Sequence, residues 1–153
     1  KDSFNSYPLG RLALAAGVTC ACGLVGAESY ELPRGYVGWV VIGYGVPACP
    51  PLPESDGRRV HRIPEGGVLC TSSPAPEGWV QASSYREGSG SSITTIPSGG
   101  SAETRRIWSS MSGEGGVGNY RTAAFFVGTW TEHEAHLSEL GRVGQIEWGV
   151  VPR

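Results

Sequence analysis

The stretch YVGWVVIGYG, opening at Tyr36, is rich in β-branched and aromatic residues and runs straight into the proline-rich VPACPPLPESDG. An apolar run this continuous predicts a central strand, Tyr36 to Tyr44, covered on both faces rather than on one. Pro47, Pro50, Pro51 and Pro53 have no backbone donor to give to a ladder, so the segment after the strand is a loop. Trp39, in the middle of the strand, reads as core.

The rest of the chain repeats the theme in shorter pieces. Asp56-Gly57 is a turn signal leading into a strand at Arg59 to Ile63, and Pro64-Glu65-Gly66-Gly67 turns it into Val68 to Ser72, so these two are expected to pair as a hairpin. Further strands are expected at Trp79 to Arg86, Ser92 to Ile96 and Arg105 to Ser109, followed by a flexible loop from Ser110 to Gly118. YRTAAFFVGTW, from Tyr120, is a strongly apolar strand. The period then changes: Thr131-Glu132-His133-Glu134 fits a capping box, Leu137 and Leu140 form one apolar helix edge, and Gly141 is a natural stop. A last strand is expected over Val143 to Val151. Seven or eight short strands and one short helix near the C-terminus predict an all-β fold, an antiparallel β-sandwich.

The 24 glycines and 11 prolines would suit a disordered chain, but five tryptophans, six tyrosines and the valine-rich runs supply the apolar surface that folding requires. The net charge of −2, with arginines scattered in pairs, gives no basic stripe and argues against nucleic acid.

Ahead of this body lies RLALAAGVTCACGLVGA. Leu12 to Ala27 is free of charge and as a helix would span about 24 Å, short of the roughly 30 Å hydrocarbon core of a bilayer. Positive Lys1 and Arg11, the apolar stretch and the small-residue exit Val25-Gly26-Ala27 fit a secretory signal peptide cut after Ala27. Overlapping it, Thr19-Cys20-Ala21-Cys22 resembles a degenerate lipoprotein box and makes Cys22 a lipidation candidate. An uncleaved membrane anchor and a short core helix are the competing readings. The expected organisation is a signal peptide or lipoprotein leader over residues 1–27 and a single β-sandwich domain over 28–153, secreted or held in the cell envelope. Outside the leader only Cys49 and Cys70 remain. In an oxidising compartment they are expected to form a disulfide, with two separate buried thiols as the alternative.

Signals for chemistry are sparse. His133-Glu134-Ala135-His136 could bring two histidines to one helix face, with Glu132 or His61 as a further metal ligand. The zinc-protease pattern, however, needs histidines four apart, and position 137 is leucine; acidic charge at a solvated helix start explains the cluster more simply. Gly113-Glu114-Gly115-Gly116-Val117-Gly118 satisfies G-x-G-x-x-G but precedes a strand where a dinucleotide loop would open a helix. No G-x-S-x-G elbow occurs. Trp79, Trp108 and Trp130 lie near glycine-rich connections and are candidate ligand-facing aromatics, able to stack on sugars or a partner surface. Glu65, Glu77, Arg86 and Glu87 read as turn-side charges.

PRGYVGWVVIGYGVPACPPLP, DGRRVHRIPEGGVLCTSS and the later FFVGT resemble a family of uncharacterised bacterial envelope proteins. Its members share P-x-G-Y-x-G-W-V, I-P-x-x-G-V-L-x-T-S and F-V-G-T. The resemblance implies a compact secreted or lipid-anchored domain of unknown function and brings no catalytic residue with it; Cys49 and Cys70 depart from the family's usual residues. The DG-x5-IP-x2-GVL pattern also resembles transthyretin-like and carboxypeptidase-regulatory sandwiches.

The functional expectation is a non-catalytic exported envelope domain with a binding or assembly role. It assigns no cofactor, no metal and no catalytic residue. The expected partner is an envelope protein or glycan, with membrane contact only through a lipid anchor. The alternatives are a metal-dependent enzyme built on the His133/His136 helix and a module that binds carbohydrate or small molecules.

Overall fold

The computed structural model describes residues 28–76, 84–88, 94–98, 100–115, 118–143 and 145–148. The expected leader, with Cys20 and Cys22, lies outside the described residues, as do Glu77, Trp79, Gly116 and Val117. The described elements are β1 (Glu28–Leu32), β2 (Gly38–Tyr44), β3 (Glu54–Ser55), β4 (Arg58–Arg62), β5 (Val68–Cys70), β6 (Ser84–Glu87), β7 (Thr94–Thr95), β8 (Arg106–Gly115) and β9 (Tyr120–Gly128). They are followed by α1 (Trp130–Ala135), a 3-10 turn (Leu137–Glu139) and α2 (Leu140–Val143).

The strands form a sandwich of two sheets, one ordered β3-β4-β1-β6-β7 and the other β5-β2-β9-β8. Both are mixed where antiparallel sheets were expected: β1 runs parallel to β4 and β6, and β2 parallel to β5. The cause is the path of the chain, which crosses between layers after β1, β2, β4, β5 and β7. A strand that returns to its own sheet after such a crossing can arrive in the direction of its neighbour. For the same reason β4 and β5 are not the expected hairpin. The turn Pro64–Gly67, closed by Gly67 N–H donating to the Pro64 carbonyl at 2.9 Å, carries the chain from one sheet to the other. The Asp56-Gly57 turn closes the β3–β4 hairpin instead, with both residues at positive φ.

The β2 run behaves as its composition predicts, and all seven residues are buried. Its alternation divides the interior in two. Val40, Ile42 and Tyr44 face the other sheet and meet Tyr30, Leu32, Ile63, Ile96, Phe125 and Val127. Trp39 and Val41 point outward with Ala124 and Phe126 of β9, where Leu140, Ile146 and Trp148 cover them. Gly43 allows this cover to approach closely, because a Cβ there would lie 2.6 Å from the Trp148 indole.

Further expectations are corrected. Glu28-Ser29-Tyr30, which no expected strand covers, is the start of the central strand β1. The loop expected over Ser110 to Gly118 is largely strand, since β8 reaches Gly115 on backbone pairing to β9 that needs no apolar side chains, with a bulge between Trp108 and Met111. The helix cap is Thr129 rather than Thr131: Glu132, three residues on, accepts from Thr129 N–H at 2.7 Å while the Thr129 hydroxyl accepts from Glu132 N–H. Gly141 lies within α2, and Val143 ends that helix rather than opening a strand. No described helix is long and apolar enough to cross a membrane.

Candidate functional site

The outer face of the β5-β2-β9-β8 sheet is only partly covered, and the gap is a cavity of about 380 Å³ lined by Tyr36, Val37, Gly38, Trp39, Val41, Glu65, Gly66, Val68, His136, Glu139, Arg142 and Ile146. Its floor is β2. One wall is the turn Glu65-Gly66 with the start of β5, and the opposite wall is the helical segment, which presents His136, Glu139 and Arg142 at intervals of three residues.

The wall of aromatic and imidazole groups is fixed by a chain of hydrogen bonds. The Tyr36 hydroxyl donates to the Trp39 carbonyl at 2.6 Å. Trp39 Nε1–H donates to the His136 carbonyl at 3.0 Å. His136 Nδ1 lies 2.7 Å from the Glu132 carbonyl, an oxygen that can only accept, so Nδ1 carries the proton. Behind Tyr36, Arg105 bonds its backbone carbonyl and also Glu87 Oε2, which accepts from Gly35 N–H at 3.0 Å. Glu87, expected as an ordinary turn charge, thus holds the loop that carries Tyr36. Gly67, at φ +73, leaves the space that the Tyr36 hydroxyl fills. Burial, and then the negative charge of Glu139, push the Tyr36 hydroxyl up to about 12. It stays protonated and keeps its bond to Trp39.

Of the candidate residues singled out in the sequence, His136 lines the cavity, whereas the described candidate aromatics fall elsewhere. Trp108 and Trp130 do come together, with ring centroids 5.1 Å apart. Trp108 is half-buried, donates its indole N–H to the Gly128 carbonyl at 2.7 Å and carries the Arg106 guanidinium 3.4 Å over its ring. Trp130 is 40% exposed. Neither lines the cavity. His133 is 4% exposed and packed among Trp39, Trp108, Phe126 and Trp130, and His136 is tied to Glu132, so the two histidines serve the cover of the sheet. Among the described residues no three His, Cys, Asp or Glu side chains are grouped to hold a metal. Cys49 and Cys70 are bridged, with Cα atoms 5.7 Å apart, and the bond ties the proline-rich loop to β5.

A second polar cluster lies between the sheets. Glu28 and His61 have no exposed surface. Arg59 Nε donates to Glu28 Oε1 at 3.0 Å, the Tyr44 hydroxyl lies 3.0 Å from His61 Nε2, and Tyr30 stacks on the imidazole at 4.5 Å. Burial lowers His61 to about 4 and raises Glu28, the latter against the pull of Arg59. Carboxylate, imidazole and hydroxyl stand in sequence, and they are not among the residues that line the cavity described above.

The cavity residues were missed because their signal is contextual. Trp39 was rightly read as core, and its edge becomes a floor only because α1 and α2 cover the sheet unevenly. Glu65, Glu139 and Arg142 look like surface charges until the fold gathers them around one cavity.

No curated protein matches the chain. Among solved structures, a candidate lipoprotein from Bacillus anthracis is similar at 21% identity, over 84% of this chain and 82% of that one, with a TM-score of 0.51, which is a likeness of fold. Residues 26–127 match a family of unknown function, and the chain belongs to that family, DUF6843.

Proposed function

We propose that the protein is a non-catalytic binding domain of the bacterial cell envelope, and that the cavity between β5 and the C-terminal helical segment is its ligand site. The observation that carries this reading is a concave cavity with an apolar floor and polar and charged groups on its walls, a form that small-ligand sites take. The Cys49–Cys70 bridge supports placement in an oxidising compartment. The fold is shared with a candidate lipoprotein, which agrees with export by the leader and either release after Ala27 or tethering through a lipid on Cys22. Intact mass of native envelope material distinguishes those two fates: a chain beginning at Glu28 means release, and a lipid-bearing Cys22 means tethering.

The binding role is tested by amide and indole NMR shifts during titration with a library of small glycans, amino-acid derivatives and short peptides. Shifts gathered on Tyr36, Trp39, Val68 and His136 with the compound left intact are expected. Silence toward the whole library, or turnover of any member, would overturn the reading.

A further inference from the structure

The polar groups of the cavity are unevenly divided between donors and acceptors. Tyr36, Trp39 and His136 each spend a hydrogen on a backbone carbonyl: Tyr36 O–H on Trp39, Trp39 Nε1–H on His136, and His136 Nδ1–H on Glu132. What these side chains have left is the phenol oxygen's lone pair, the face of the indole and the remaining imidazole nitrogen, all electron-rich. Glu65 on one wall and Glu139 on the other add two carboxylates. Against them stands one cation, Arg142, exposed at the rim. The apolar floor of Trp39 and Val41, with Val68 and Ile146 beside it, suits a hydrocarbon stem.

We infer that the cavity takes an organic cation, an ammonium group on an apolar stem, such as the lysine side chain of an extended partner segment. This rests on the reading of the cavity as the ligand site. The ammonium supplies the hydrogens that the walls lack, between the two carboxylates and against the aromatic faces, and its stem replaces water on the floor. An anion would meet Glu65, Glu139 and lone pairs with Arg142 alone to receive it.

The test is an NMR titration of the folded full chain with four probes: N-acetyl-lysine methylamide, its neutral norleucine and anionic glutamate counterparts, and glucosamine. The lysine probe is expected to bind most tightly, and tighter binding of glucosamine, whose amine has no apolar stem, would overturn the inference. Glu139→Gln and Glu65→Gln, both at exposed positions, should each weaken that binding roughly threefold, and Arg142→Gln should strengthen it by a similar factor. Added salt should weaken it as well. Tighter binding of the glutamate or norleucine probe would overturn this inference and leave the cavity as a ligand site. Cationic binding that ignores all three substitutions would place the amine elsewhere and also overturn it. Silence toward all four probes would remove the cation reading, and silence toward the wider library would remove the site itself.

Discussion

The two faces of the β5-β2-β9-β8 sheet are closed in different ways. The inner face lies against a whole second sheet, and ring contacts join the two layers: Phe125 meets Tyr30 and Tyr85, and Tyr44 meets His61. The outer face is covered by α1 of six residues, α2 of four, and the segment ending at Trp148. Helices that short cannot cover the face of a four-stranded sheet, and the uncovered part is the cavity. The closed face gives the fold its stability, whereas the half-open face leaves a cavity and depends on local fastenings such as a disulfide, a stacked indole and a helix cap.

The disulfide should have the largest effect. Strand β5 has three residues, pairs only with β2, and forms one wall of the cavity. Cys49 and Cys70 are 21 residues apart, and a loop of that size contributes about 3 kcal/mol by restricting the unfolded chain. Cys49→Ser with Cys70→Ser should lower the unfolding free energy by that amount in denaturant titrations and make it insensitive to reductant. A loss under about 1 kcal/mol would mean that ladder and packing alone hold β5, and the contrast between the faces would weaken.

Acid sharpens the contrast from the other side, because the group most exposed to its effect lies in the closed face. His61 has an ordinary value of 6.5, lowered to about 4 in the fold by burial. The unfolded chain therefore takes up a proton below pH 6.5 that the folded chain refuses, so His61's contribution is present above that pH and is lost as pH falls toward 4. Glu28 opposes it, since a raised carboxyl takes up its proton earlier in the folded state and stabilises on acidification. The two are separated by comparing wild type with His61→Gln. The stability difference between them should shrink by on the order of 2 kcal/mol from pH 7 to pH 4.5. A difference that stays constant with pH would show that His61 is not held neutral between the sheets.

How much of this was legible in the sequence follows the same division. The β2 run, the Phe125-Phe126-Val127 run and the two domain cysteines carry strong local signals, and the sandwich and the bridge follow from them. The pairing of strands did not follow, because Pro64–Gly67 reads the same whether it folds β5 back on β4 or passes it to the other sheet. β1 was hidden for a different reason: Glu28 looks solvated until Arg59 and His61, some thirty residues away, are seen to surround it. The cavity is hidden for a third, since a gap in a cover has no residue pattern of its own.

The smallest expected effect tests the half-open face directly. The Thr129 hydroxyl accepts from Glu132 N–H at 3.4 Å, and Glu132 Oε2 accepts from Thr129 N–H at 2.7 Å. The Thr129 N–H, and the Thr129 hydroxyl donating to the same Oε2 at 2.9 Å, hold the Glu132 carboxyl below its usual range, as expected for a carboxylate engaged by backbone and hydroxyl donors. Thr129→Ala removes the hydroxyl half of the exchange and should cost about 1 kcal/mol, with Thr129→Ser restoring most of it. Because α1 leads directly into the wall that carries His136 and Glu139, the expected sign is local. Hydrogen exchange should quicken at the α1 amides and at the Trp39 indole while the amides of Val40 and Phe125 keep their protection. If inner and outer amides quicken together, the two faces open as one unit and the helical wall is no separate fastening. If neither changes, the packing of His133 among Trp39, Trp108 and Trp130 positions the helix without its cap.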